Sequence, residues 1–203
     1  MQGVPSSNLG VPTKFEQLIV IRDALFRLWL MDSRRKLRHV VPHLHAMNSV
    51  LDIGCGAGSV AISLRGIGFQ VTPVDINNAS LTPRVTPLIF DGRRLPFRSG
   101  TFDAALLLTV LHHARDPEAL LREAGRVARR VVVVEDTYAG RLQRAVTLFA
   151  DSVVNWEFQG HPHNNRSDAE WCATFARLDF RLRASASWPI AGVFRQSLYV
   201  LDS

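Results

Sequence analysis

The sequence predicts an α/β fold: a mostly parallel, seven-stranded sheet with helices on both faces, closed by a C-terminal antiparallel strand pair. Three observations predict it. Short apolar runs alternate with segments of helical periodicity, the pattern of strand–helix–strand units. Several of those runs, among them VLDI at 50–53, AALLLTVL at 104–111 and VVVV at 131–134, are apolar on consecutive positions, as strands covered on both faces are. Finally, the runs end at polar or acidic positions, Asp52, Asp75, Asp91 and Thr109, and open α/β sheets hold ligands at such carboxyl ends.

Residues 1–12 contain two glycines and two prolines and read as a flexible tail ahead of a single domain spanning 13–203. From Lys14 to about Val40, apolar residues recur at three and four (Phe15, Leu18, Ile19, Leu25, Phe26, Trp29). Arg22, Arg27 and the run Arg34 to Arg38 give that segment a basic side, so one or two amphipathic helices are expected. Residues 14–44 would form a lid over the site, a surface resting on an anionic membrane, or a helix packed on the sheet edge.

Strands are predicted at Ser49 to Ile53, Gln70 to Val74, Thr86 to Phe90, Phe102 to Leu108 and Val131 to Val134. Ser59 to Arg65 reads as a helix ending at Gly66, while Pro83 leaves 76–85 room for no more than a turn. Asp116 followed by Pro117 is a helix start, with a capping carboxylate and a proline where no amide is lost, and this helix should run to about Arg129. A further helix is expected from Gly140 to Val153. Ser167 and Glu170 form a capping box ahead of a helix reaching Arg177. Phe180 to Ser187 and Val193 to Leu201 complete the chain as a hairpin.

Composition narrows the function classes. Apolar residues make up 47% and charged residues 21%, the balance of a folded soluble chain. The first ten residues lack the basic start and apolar core of a secretory signal, and no apolar run reaches the roughly 20 residues of a membrane span. Two cysteines are too few for a disulfide framework, so a cytoplasmic location is expected. The net charge of +6 comes from arginines scattered along the chain, which reads as a basic solvated surface rather than a nucleic-acid site. Oligomeric state is left open.

The stretch VLDIGCGAGS carries the chemistry. Three glycines in five residues at a strand end suit a close approach between ligand and backbone. Their spacing is GxGxG, not the GxGxxG of a dinucleotide site, so a pyrophosphate is not required and an NAD-dependent oxidoreductase fits poorly. Asp75, about twenty residues downstream, can take the two hydroxyls of a ribose. The pattern points to a nucleoside.

VLDIGCGAGS, VDIN at 74–77, FDGRRLPF at 90–97, TFDAALLLTVLHH at 101–113 and the helix DPEALLREAGRVAR together resemble a class I S-adenosylmethionine-dependent methyltransferase of the small-molecule type, near the ubiquinone and menaquinone methyltransferases. The resemblance covers about residues 48–136. It implies a Rossmann-like fold, S-adenosylmethionine as cofactor and S-adenosylhomocysteine as product. Gly54, Cys55 and Gly56 would touch the methionine portion, with Asp52 beneath them near its ammonium and the carbonyl near Thr109 helping to hold it. Asp75 would bind the ribose, Ile76 would lie against the adenine, and Asp91 would accept from the adenine amino group while the amide of Gly92 or Arg93 addresses a ring nitrogen. The pattern departs from the family between the second and third strands, where a helix is nearly absent, and before the fifth strand, where ARRVVVVED replaces the expected proline and glycines.

The partner expected is a small, apolar or lipid-like methyl acceptor reacting at oxygen, nitrogen or carbon. An NPPY-like segment for nucleic-acid amino methylation is absent, and neither cysteine has the context of a cytosine-carbon enzyme. Methyl transfer depends chiefly on orientation, with a base optional. His112, His113, His161 and His163 are the candidate bases; for the first two a structural or cofactor-lining role competes, and for the second two plain loop polarity. No metal site is expected, since HxH at 161–163 has no third ligand. Phe26, Trp29, Trp156, Phe158 and Trp171 are candidates for an apolar acceptor pocket. A catalytically inactive protein that keeps the cofactor pocket is the alternative reading.

Overall fold

The computed structural model describes residues 14–138, 165–190 and 194–203. Its framework is a seven-stranded sheet in the order β3-β2-β1-β4-β5-β7-β6. Strands β1 (Ser49–Ile53), β2 (Gln70–Asp75), β3 (Leu88–Ile89), β4 (Phe102–Leu108) and β5 (Ala128–Thr137) run parallel. β7 (Phe194–Asp202) is antiparallel to β5 on one side and to β6 (Arg181–Ile190) on the other. The mixed sheet with a C-terminal antiparallel pair is therefore as expected, and the order reverses between β1 and β4, where a crevice opens at the carboxyl ends.

Two apolar layers cover the sheet. On one face, α1 (Lys14–Val40) and α2 (Ser59–Arg65) bring Leu37, Val40, Ala61 and Leu64 onto Val50, Leu106, Val132 and Val200. On the other, α3 (Pro117–Val127) and α4 (Asp168–Arg177) pack Leu121, Ala124, Trp171 and Phe175 against Leu51, Leu107, Val133 and Tyr199. Consecutive residues of β1, β4 and β5 thus feed opposite layers, which is why these strands read as unbroken apolar runs.

Local chemistry sets the helix boundaries. The Asp116 side chain accepts from the Ala119 amide at 2.9 Å and Pro117 occupies the first turn, starting α3. Ser167 and Glu170 form a reciprocal capping box at the start of α4. The segment expected as one or two helices is a single α1 of 27 residues.

Several boundaries differ from expectation. β3 is two exposed residues rather than five, because Pro87 has no amide to donate and the strand lies on the sheet edge. α3 ends at Val127, not Arg129, since Ala128 turns extended (φ −132°, ψ 147°) and opens a ten-residue β5 longer than the valine run. β6 and β7 each run further than expected, ending at Ile190 and Asp202. The helix expected at 140–153 lies outside the described residues.

Candidate active site

The site is built from the loops that leave the carboxyl ends of β1, β2, β4 and β5. After β1 the chain turns at once through Gly54 (φ +70°) and Gly56 (φ +46°) into α2. The amides of Gly54 and Cys55 donate to the Val74 carbonyl at 2.9 and 3.2 Å, tying the loop to β2. A Cβ on Gly54 would stand 2.7 Å from Val110 Cγ2, so the loop lies flat against the segment after β4. A Cβ on Gly56 would meet nothing within 4 Å. Bare backbone there faces open space, the cradle that a ligand needs.

Asp75 closes the loop from the β2 side. Its Oδ2 accepts from the Gly56 amide at 2.8 Å and its Oδ1 from the Ile76 amide at 2.7 Å. Asp52 is buried beneath the glycines with Oδ2 lacking a hydrogen-bond partner among the described residues. Burial, and then the negative charge of Asp75, push its carboxyl up to about 7. Burial likewise raises the Cys55 thiol to about 12, which makes it a poor nucleophile and leaves it as packing under the loop.

Thr109 follows β4 with φ +58°, a conformation costly for a β-branched residue. Three contacts hold it: its amide donates to the Val134 carbonyl at 2.6 Å, its hydroxyl to the Leu108 carbonyl at 2.6 Å, and Lys36 Nζ donates to that hydroxyl at 3.0 Å. Next along the chain, Glu135 is fully buried at the end of β5 and organises the LHH turn. Its Oε1 accepts from the amides of Val110 (2.9 Å) and Leu111 (2.7 Å), and its Oε2 meets His112 Nδ1 at 2.5 Å. His112 is therefore engaged structurally, whereas His113 stacks obliquely on it (ring centroids 4.0 Å) and faces the cavity.

That cavity, of about 730 Å³, lies between the glycine loop, the LHH turn, α1 and the ends of β5 to β7. Gly54, Cys55, Gly56, Thr109, His112 and His113 all line it. The volume falls in the range of small-molecule and cofactor sites, roughly 300–1,000 Å³. Ile76, Asp91, Gly92 and Arg93 sit outside it, on the neighbouring surface: Ile76 and Asp91 are exposed, and a Cβ on Gly92 would lie 3.2 Å from Ile76 Cγ2. Asp91 Oδ1 accepts from the amides of Arg93 and Arg94, both at 2.9 Å, which draws its carboxyl below the usual carboxylate range.

Other sequence candidates go elsewhere. Trp171 is fully buried in the α3/α4 layer and does not wall the cavity, and Phe26 is not among its lining residues; Trp29 is. His161, His163, Trp156 and Phe158 lie outside the described residues. The basic run on α1 divides: Arg34 and Arg38 stay exposed, while Lys36 is buried and bound to Asp32 at 2.8 Å. No cluster of histidine, cysteine, aspartate and glutamate among the described residues could hold a metal ion.

The sequence reading missed the polar wall that faces the glycines. Asp32, Arg35 and Lys36 from α1, Asp136 from β5 and Gln196 from β7 all line the cavity. Only the acidic pair ending β5 was a visible signal; the others come from elements far apart in the chain.

Residues 51–133 match the family described as "Methyltransferase domain". Over that segment the chain is thus similar to methyltransferase domains. It is 29% identical to the ubiquinone biosynthesis O-methyltransferase of Methylocella silvestris over 148 residues, 68% of this chain and 56% of that one. The chain spans about half the length of the curated relatives it matches. Among solved structures, a SAM-dependent methyltransferase from Methanosarcina mazei superposes with a TM-score of 0.65 at 17% identity, covering 80% of this chain and 96% of that one. Magnesium protoporphyrin IX methyltransferase from Synechocystis PCC 6803, solved with bound SAH, superposes with a TM-score of 0.60 at 18% identity over 96% of this chain and 90% of that one. These likenesses, to methyltransferase domains, concern the fold.

Proposed function

We propose that this protein transfers the methyl group of S-adenosylmethionine to a small, largely apolar metabolite. One juxtaposition carries the reading: the main chain at Gly56, with open space beside it, donates to the Asp75 carboxylate from the adjacent strand end, and Gly54, Cys55 and Gly56 line a cavity that has both an apolar interior and a polar wall. The residues fit the cofactor. The open space over Gly56 would receive its methionine portion, Asp75 would exchange its amide contacts for the ribose hydroxyls, and Ile76 with Gly92 would form the shelf for the adenine, with Asp91 at its rim. Asp52 stands beneath the loop, where a bound ammonium would favour its ionised form and pair with it, and the strained Thr109 sets the backbone on the opposite side.

When bound, the sulfonium supplies an activated methyl group, so the protein's work is to orient an acceptor and exclude water. The lid expected at 14–44 takes that part: Trp29, Asp32, Ser33, Arg35 and Lys36 of α1 form one wall of the cavity, and Val60, Leu81, Leu108, Val110, Ile190 and Phe194 supply an apolar interior. Relatives named for O-methylation support an oxygen acceptor. Calorimetry with S-adenosylhomocysteine, followed by transfer of labelled methyl from S-adenosylmethionine to a cell extract and mass spectrometry of the product, tests the reading. Micromolar binding and a labelled small molecule are expected; a protein that ignores the nucleoside at millimolar concentration refutes it.

A further inference from the structure

One carboxylate of the cavity wall has no part in the arrangement above. Asp136 follows Glu135 at the end of β5, and strand alternation sends the two side chains to opposite faces. Glu135 is spent on the LHH turn. Asp136 instead lines the cavity beside Lys36, His113, Phe194 and Gln196.

Its setting is constructed rather than incidental. Asp136 is paired in register with Gln196 across β5 and β7, and the Gln196 side chain hydrogen-bonds to its carboxylate. Gln196 is itself buried and fixed, since its Oε1 accepts from Arg35 Nη1 at 2.9 Å. The two cations of α1 on this wall are held by Asp32, Arg35 at 2.5 Å and Lys36 at 2.8 Å. The facing charges are thus Lys36 and Arg35 from α1, His112 and His113 from the turn after β4, and Glu135 from β5. Burial raises the proton affinity of Asp136 above that of an ordinary carboxylate, against the opposing pull of Gln196, His112 and Lys36.

We propose that Asp136 is the general base of the methyl transfer, taking the proton of an acidic hydroxyl, phenolic or enolic, on an apolar acceptor; this rests on the methyl-transfer reading above. As the acceptor oxygen bonds to the methyl carbon, the carbon–sulfur bond breaks with its electron pair left on sulfur as a neutral thioether, and the O–H proton passes to the Asp136 carboxylate. An amine acceptor attacks as its free base and sheds a proton only afterwards, so it has no use for a carboxylate placed here. An aliphatic alcohol, close to water at about 16, lies too far from any carboxylate, whereas a phenol near 10 lies within reach.

Catechol is the probe, added to the full chain loaded with S-adenosylhomocysteine. Calorimetry should show catechol binding at least about 10-fold weaker in Asp136→Asn than in the parent, with S-adenosylhomocysteine affinity unchanged, because one hydrogen bond to a charged acceptor is lost. In turnover with labelled S-adenosylmethionine, transfer to catechol at pH 7 should fall at least about 100-fold in Asp136→Asn and recover towards pH 10, where catechol ionises unaided. Asp136→Glu should restore part of the rate with a displaced pH profile, and it carries the test if the asparagine variant fails to bind S-adenosylhomocysteine. Equal catechol affinity and equal pH profiles in parent and variants overturn the inference, as does a loaded parent that neither binds nor methylates catechol. A parent that does not bind S-adenosylhomocysteine overturns the methyl-transfer reading itself.

Discussion

The two ends of the candidate cofactor site are made differently. At the proposed methionine end, tertiary contacts hold the backbone: Gly54 lies against Val110, Thr109 is held at positive φ by three contacts, and Asp52 is buried. At the proposed adenosine end, Ile76 and Asp91 are exposed, β3 is two residues long, and the Asp91 carboxylate is satisfied by its own turn. On the proposed function the methyl group would leave sulfur at the first end, where position decides rate. The second end needs only to recognise a base and a sugar, so local turns suffice.

This contrast can be broken most forcefully at Gly54. Gly54→Ala must hold a Cβ at φ +70° and push it to 2.7 Å from Val110 Cγ2, so it should lower the unfolding temperature by roughly 5 °C or more, at about 1–3 kcal/mol of backbone strain plus the clash, and abolish S-adenosylhomocysteine binding. Gly56→Ala bears the backbone strain of φ +46° but no clash, since its Cβ has open space, and should lose affinity with a smaller change in stability. Thermal unfolding and calorimetry on the same pair separate the two; equal losses of stability would deny the methionine end its rigidity.

A smaller effect is expected at the adenosine end. Asp75→Ala removes two charge-assisted contacts to the ribose, each worth about 1.5–3 kcal/mol, so affinity should fall about 100-fold or more while the fold persists. Calorimetry giving a change under about 3-fold would show that the carboxylate serves only the Gly56 and Ile76 amides it meets in the free protein.

The mildest prediction concerns pH. The folded protein holds a proton on Asp52 up to about 7, whereas the unfolded chain releases it near the ordinary value of 3.8. Between those limits the unfolded state binds fewer protons, so this carboxyl makes stability fall as pH rises from about 4 to about 7, and level off above. Asp52→Asn should lose that part of the slope. Denaturant midpoints at pH 5 and pH 8 measure it, and parallel changes in parent and variant would argue against the raised carboxyl.

Much of the parallel core was legible because its strands obey local rules. β1 and β4 have the bounds that the sequence predicts, and the caps at Asp116 and Ser167 start helices where their side chains can reach free amides. β3 was overestimated because its apolar run meets a prolyl residue at the sheet edge, and β5 was underestimated because Arg130 and Asp136 look polar but are paired to β4 or β7. In the site, the glycines and Asp75 were visible as a motif. The role of Trp171 was not, since a buried aromatic and a pocket aromatic share one sequence pattern.

By itself the sequence determined the alternation of strands and helices, the glycine turn after β1 and the acid at the end of β2, because each depends on residues adjacent in the chain or on steric rules of single residues. Only the tertiary structure decided that Lys36 turns inward to Thr109, that Glu135 anchors the LHH turn, and that Asp136 and Gln196 share a wall with α1. Those pairings join positions separated by 23 to 161 residues, and no local preference encodes which distant partner a buried charge will find.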